Sequence, residues 1–319
     1  MTAKDNTSTK RPLIILTGPT AVGKTALSIG LAKAIQGEII SADSMQVYRG
    51  MDIGTAKITK EQMDGVPHHL IDIMDPSDSF HVMAFQQKCK EAMEDIYARH
   101  KIPILVGGTG FYIQSVLYDI SFTETDTDIE YRQELQKIAE EQGGYVLHAR
   151  LAKIDPEAAD EIHPNNVKRV IRALEFNHQT GEKISIHNEQ ERQKKSPYQF
   201  RYYVLSLPRE ILYDRINRRV DVMRRDGLVD EVKGLLQQGI TPNMVSMQGL
   251  GYKEIIDALQ GSCSFEEAFE RIKRETRHFA KRQFTWFRRE RDVTWIDKET
   301  YENEDAILQY MIEDLKNVH

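Results

Sequence analysis

The feature that most constrains this chain is an eight-residue stretch near its start, Gly18-Pro19-Thr20-Ala21-Val22-Gly23-Lys24-Thr25, which matches G-x-x-x-x-G-K-[ST]. It follows the apolar run Leu13-Ile14-Ile15-Leu16 and leads into an amphipathic stretch from Lys24 to Ile35. Strand, glycine loop and helix in that order are the context the motif requires. The backbone amides of the loop and the helix N-terminus cradle phosphate oxygens, Lys24 neutralises them, and the Thr25 hydroxyl can ligate Mg²⁺. A di- or triphosphate ligand follows. The group carried by the phosphates stays open, because such a loop reads phosphate alone.

The rest of the first third repeats the alternation. Glu38 to Ala42 and Ile102 to Val106 are short apolar runs that read as buried strands, with a helical pattern from Phe80 to His100 between them. Near-continuous apolar strands alternating with helices predict an α/β fold, a P-loop NTPase-like parallel sheet flanked by helices. From Asp126 to Gln199 the sequence turns charged and helix-periodic, most clearly at Gln133 to Gln142 and Val167 to His178, before Tyr202 to Leu205 reads as a strand again. Further on, Phe265 to Glu290 is the longest helical pattern and Val293 to Ile296 a last strand. At roughly 150 residues per domain, 319 residues suit two domains. The expected division is a catalytic core of residues 1–122 and 200–319, interrupted by an all-helical insertion of residues 123–199.

Two further blocks fall at the carboxyl edge of the sheet, where open α/β proteins place ligands. Ser41-Ala42-Asp43-Ser44 follows the second strand. The Asp43 carboxylate there suits a general base or a Mg²⁺ ligand, against the plainer reading of a turn aspartate. Val106-Gly107-Gly108-Thr109-Gly110 ends another strand; its glycines let a substrate approach the backbone or make a tight strand-to-helix turn, two readings that are compatible, and Thr109 offers a hydroxyl. That strand lacks the terminal acidic residue of a switch NTPase, which favours a group-transfer enzyme.

The formal charge of −6 at first argues against nucleic acid, but the charge is uneven. Between Glu270 and Arg291 nine basic residues (Arg271, Lys273, Arg274, Arg277, Lys281, Arg282, Arg288, Arg289, Arg291) face three acidic ones, a local +6 that leaves −12 elsewhere. Phe279, Phe284, Trp286 and Phe287 are interleaved. Basic and aromatic residues together suit a phosphodiester backbone with bases to stack, while the plainer reading makes the aromatics core and the charges a solvated face. His68-His69, ahead of an expected strand, has no partners at metal spacing and reads as structural. Met45, Met51 and Met63 read as fillers. Arg215, Arg218 and Arg219 share one helix, either on its surface or facing phosphate. Two cysteines, Cys89 and Cys263, a polar start from Met1 to Lys10 and no long apolar run lead us to expect a soluble, cytoplasmic protein without a membrane partner.

Several blocks together resemble the bacterial tRNA dimethylallyltransferase family, also called tRNA isopentenyltransferases. They are the phosphate loop, Asp43 to Lys57, Val66 to Asp72, Gly107 to Ile113, Asn165 to Glu175 and Gly249 to Glu254. The resemblance implies transfer of a dimethylallyl group from its diphosphate to N6 of the adenosine 3′ of the anticodon, position 37, with Mg²⁺ as cofactor. It implies that Gly18 to Thr25 hold the diphosphate, with Lys24, Arg219 and a Mg²⁺ on Thr25 and Asp43 at the leaving group. Asp43 would be the base and Thr109 a contact to the reacting centre. For the anticodon stem-loop of tRNA it implies Asp43, Ser44, Met45, Gln46 and Thr109, then Val167, Lys168, Arg169 and Arg172 on the insertion. Gln248, Gly249, Leu250, Gly251, Tyr252 and Lys253 complete that set, and Lys281 and Arg282 join it from the basic segment. A monomer is expected. The competing readings are a P-loop kinase or NTPase using ATP, an adenylate isopentenyltransferase acting on free nucleotide, and a non-catalytic RNA-binding module.

Overall fold

The computed structural model describes residues 10–122 and 128–316, so the polar start before Lys10 and the expected beginning of the insertion, residues 123–127 with Asp126, lie outside the described residues. The chain divides into two compact units, Met1–Leu117 with Pro197–His319, and Tyr118–Ser196. These borders fall a few residues before the expected ones. Lys194 donates to the Asp119 carbonyl and the Ser121 hydroxyl, and the Ser121 amide donates to Glu191, which ties residues 119–121 to the helical unit.

The first unit runs β1 (Pro12–Thr17), α1 (Lys24–Ile35), β2 (Gly37–Ala42), α2 (Lys60–Met63), β3 (His68–His69), α3 (Val82–Ala98), β4 (Ile102–Gly107) and α4 (Gly110–Leu117). The helical unit holds α5 (Ile129–Gln142), α6 (Gly144–Ile154), α7 (Pro156–Glu161), α8 (Val167–Thr180) and α9 (Ile184–Gln193). The first unit resumes with β5 (Gln199–Ser206), α10 (Arg209–Arg225), α11 (Leu228–Gln237), α12 (Tyr252–Leu259), α13 (Phe265–Phe287), β6 (Val293–Asp297) and α14 (Glu304–Lys316).

The six strands form one parallel sheet in the order β3-β2-β4-β1-β5-β6. All six residues of β2 and five of six in β1 are buried, as a sheet covered on both faces demands. The core joins Ile14 and Leu16 of β1, Ile104 of β4 and Tyr203 and Leu205 of β5 to Leu27 and Leu31 of α1, Ile216 of α10, Ala280 of α13 and Met311 of α14. Because β2 and β4 lie to one side of β1 and β5 to the other, the chain reverses direction across the sheet at β1. The loops after β1 and β4 therefore open a crevice at the carboxyl edge. His68-His69 does not precede a strand but is itself the edge strand, and His69 Nε2 lies 2.8 Å from Glu38 Oε2.

The helical unit packs around Leu135, Leu147, Leu151, Val170, Ile171 and Leu174. Glu175, nearly fully buried, is held by two hydrogen bonds from Arg132 at 2.6 and 2.7 Å. No helix among the described residues is long and apolar enough to cross a membrane.

Candidate functional site

The phosphate loop leaves β1 at Thr17, whose hydroxyl donates to the Gly107 carbonyl at 2.6 Å and locks the ends of β1 and β4 together. Ala21 and Gly23 have φ of 64° and 94°, which curls the loop before α1 starts at Lys24. No side chain caps that helix, so the amides of its first turn remain available to an anion. The Lys24 ammonium donates to the carbonyls of Gly18 and Pro19, both at 2.9 Å. Part of the side chain is accessible, but the ammonium is densely surrounded. Burial, followed by the charge of Arg219, pushes its pKa down to about 7, and Asp43 opposes the shift. Those contributions place Lys24, Arg219 and Asp43 within electrostatic reach of one another.

Asp43 and Thr109 arrive on neighbouring strands. Ala42 of β2 pairs in register with Gly107 of β4, and the Thr109 amide donates to the Ala42 carbonyl at 3.3 Å. Asp43 Oδ1 accepts the amides of Met45 (2.8 Å) and Gln46 (3.2 Å), so the turn reading is realised. The second oxygen, Oδ2, keeps no partner among the described residues, which leaves it open for proton transfer. Arg219, on α10, approaches the Thr20 hydroxyl at 3.5 Å. Part of its surface stays accessible, yet burial of the guanidinium lowers its pKa. Thr25 is exposed on the first turn of α1. The oxygen donors here, the Thr25 hydroxyl and the Asp43 carboxylate, are of the type Mg²⁺ favours, an ion that takes few ligands from protein and keeps water for the rest.

The glycines after β4 do not open space for a substrate, as one sequence reading had it. A Cβ at Gly108 would lie 2.2 Å from Gln283 Nε2, and one at Gly110 would lie 2.2 Å from Trp286 Cδ1. Both positions are filled by α13. Gln283, only 6% exposed, accepts the Thr20 amide on Oε1 and donates from Nε2 to the Gly108 carbonyl, each at 2.9 Å. One side chain thus clamps the phosphate loop to the Thr109 loop. Nothing in the sequence singles out this glutamine, which sits in a charged helix.

The same packing decides the aromatics of the basic segment. Phe287 is fully buried, Phe284 stacks on Trp295 with centroids 6.3 Å apart, and Trp286 lies against Phe111. These rings serve the protein core and its margin, so the expectation of base stacking is corrected for them. Arg271 and Lys273 are paired with Asp257 and Asp221, and Arg277 with Asn217. Lys281, Arg282, Arg288 and Arg289 remain exposed, with Arg282 over the Phe279 ring.

The blocks around Asp43 and Gly249 also meet. A Cβ on Gly249 would come within 2.5 Å of Met45 Cε, so residues 43–46 and 248–253 touch. Within the second block Gln248 and Lys253 are exposed and Leu250 half-buried, while Gly251 is buried, its amide donating to Glu254. Tyr252 is fully buried and its hydroxyl donates to Glu231 at 2.7 Å, so its side chain supports the loop and faces no RNA. Glu231 also accepts the amides of Asp52, Ile53 and Gly54, an organising role that no sequence signal announced. On α8, Lys168, Arg169 and Arg172 are exposed, whereas Val167 is half-buried and packs against the core of the helical unit.

Comparison with known proteins identifies the family. The IPP transferase family model matches residues 46–290, and an isopentenyl transferase model matches residues 12–79. A tRNA dimethylallyltransferase from Lachnoclostridium phytofermentans is 59% identical over 302 residues, covering 95% of this chain and 96% of that protein. The crystal structure of the tRNA isopentenylpyrophosphate transferase from Bacillus halodurans superposes with a TM-score of 0.73 at 47% identity, covering 97% of this chain and 98% of that one. A eukaryotic dimethylallyltransferase acting on tRNA superposes with a TM-score of 0.80 at 32% identity, over 95% of this chain and 78% of its own. With a family model spanning most of its length and relatives this similar over nearly all of it, the chain belongs to the IPP transferase family.

Proposed function

We propose that this protein is a tRNA dimethylallyltransferase, which moves a dimethylallyl group from dimethylallyl diphosphate to N6 of the adenosine at position 37, 3′ of the anticodon. The observation that carries the reading is the convergence of Lys24, Asp43 and Thr109 from β1, β2 and β4 at one edge of the sheet, within a chain of this family. An adenine amine is a weak nucleophile because its lone pair is delocalised into the ring. Asp43 Oδ2 takes the N6 proton as the C–N bond forms, and the turn that holds Oδ1 keeps the carboxylate aimed. As the C–O bond to the diphosphate breaks, negative charge grows on the leaving group. The loop amides, Lys24 and Arg219 receive it without reorganising. Thr25 would hold a Mg²⁺, which would supply further neutralisation of the diphosphate when bound; with Oδ1 taken by two amides and Oδ2 kept for the proton, Asp43 would act on the ion through its charge.

The target base must leave its stack to reach such an edge. Exposed Lys168, Arg169 and Arg172 on α8 supply positive charge for the phosphates of the anticodon stem-loop, and residues 43–46 with Gln248 and Lys253 supply polar contacts near the base. A cytoplasmic location follows from a tRNA substrate.

The test is incubation with Mg²⁺, radiolabelled dimethylallyl diphosphate and unmodified tRNA, beside arms with AMP and with labelled ATP. Label is expected in tRNA and not in AMP. Phosphoryl transfer from ATP with no prenyl label in tRNA would overturn the reading. Asp43→Ala should lower turnover far more than tRNA affinity.

A further inference from the structure

Two cations outside the motif lie against the outer face of the phosphate loop. Lys298 follows β6, and Arg215 lies one turn before Arg219 on α10. A Cβ at Gly23 would come 2.7 Å from Lys298 Nζ, 3.5 Å from Glu304 Oε1 and 3.7 Å from Arg215 Nη1, so all three groups share one point of the loop backbone. The Lys298 side chain is only 6% exposed, and its ammonium is paired with Glu304 at 2.5 Å. Arg215 is exposed and has no ion pair or hydrogen bond among the described residues. Beside them opens a cavity of about 300 Å³ whose lining includes Arg215, Lys298, Tyr301 and Asn303 together with three carboxylates, Glu299, Glu302 and Glu304.

In the free protein this gathering is electrostatically unfavourable. Lys24, Arg219, Arg215 and Lys298 crowd one loop, and the positive end of the α1 dipole points at the same place. A multiply charged anion on the loop reverses the sign for every one of them. The nearby carboxylates are the exceptions: Asp43 offsets part of the charge around Lys24, and Glu304 neutralises Lys298 and repels the same anion.

We propose that Lys298 and Arg215 form an outer cationic rim of the diphosphate site, and that Glu304 tempers its strength so that the released diphosphate can leave. This rests on the functional reading above and adds residues that lie partly beyond the family match, which ends at residue 290. If the Lys298–Glu304 pair merely staples α14 to β6, removing either partner would destabilise the protein and leave anion binding unchanged. A rim tempered by Glu304 instead requires effects of opposite sign.

The experiment is calorimetric titration of the full chain with inorganic diphosphate in the presence of Mg²⁺, at two salt concentrations, with thermal melts confirming folding. Lys298→Met and Arg215→Met should each weaken binding by roughly three- to tenfold, and Glu304→Gln should tighten it by a similar factor and slow product release. All three effects should shrink at high salt. Should Lys298→Met fail to fold, Arg215→Met and Glu304→Gln decide the matter. Wild-type binding with Glu304→Gln unchanged or weaker overturns this inference alone. Failure of the wild-type protein to bind diphosphate overturns the functional reading and the rim with it.

Discussion

Gln283→Leu tests the clamp between the two halves of the site. The substitution keeps the bulk of a residue that is 6% exposed but removes both hydrogen bonds, leaving the Thr20 amide and the Gly108 carbonyl without partners. An unsatisfied buried group costs about 1–3 kcal/mol. Both loops are half-buried and water reaches part of each, so the low end applies and the sum is about 2–3 kcal/mol. The two tryptophans, Trp286 and Trp295, both belong to this unit, so urea unfolding followed by their fluorescence reads the loss directly. Turnover should fall with it if the phosphate loop receives the leaving group as proposed, because that loop is no longer fixed against the loop that carries Thr109. Gln283→Glu sharpens the test: an ionised carboxylate still accepts from Thr20 but faces the Gly108 carbonyl with no proton to donate. Its deficit should narrow as the pH falls and the acid regains a donor. A Gln283→Leu variant within about 0.5 kcal/mol of the parent, turning over normally, would refute the clamp.

Two other outcomes follow from the charges. With its pKa near 7, free Lys24 loses its proton as the pH rises from 6 to 9, so diphosphate binding above pH 7 must restore that proton and weakens by up to about tenfold per pH unit. Lys24→Arg keeps a fixed charge, and comparing the two pH profiles of diphosphate affinity should show the steeper fall in the wild type alone. The folding contribution runs the other way: the unfolded chain holds this proton up to about 10.5, so stability from Lys24 grows between pH 7 and 10.5. On the helical unit, replacing Lys168, Arg169 and Arg172 with Ala should weaken tRNA binding and lower the slope of log affinity against log salt by roughly 2–3, read by filter binding at several salt concentrations. An unchanged slope would free that face from any RNA contact.

The sheet was legible because its signals are local. Apolar runs such as Leu13 to Leu16 and Ile102 to Val106 became β1 and β4, and the amphipathic stretch Lys24 to Ile35 became α1 with the same ends. The two-residue edge strand at His68-His69 was missed, since two residues carry no periodicity. The division between the units was misjudged by a few residues, because it depends on where Lys194 and Glu191 reach back to residues 119–121.

Within the site, residue types and spacing were enough to mark the phosphate loop and the Asp43 and Thr109 blocks as candidates, because such motifs act through backbone geometry that neighbours in sequence define. Distances across the fold were beyond it. Only the tertiary structure could place Gln283 between two loops, turn Tyr252 inward onto Glu231, fill the spaces at Gly108 and Gly110 with α13, and bring Lys298 from the far end of the chain to Gly23. Each of these rests on a single side chain meeting a partner scores of residues away, and no local pattern records which partner the packing will select.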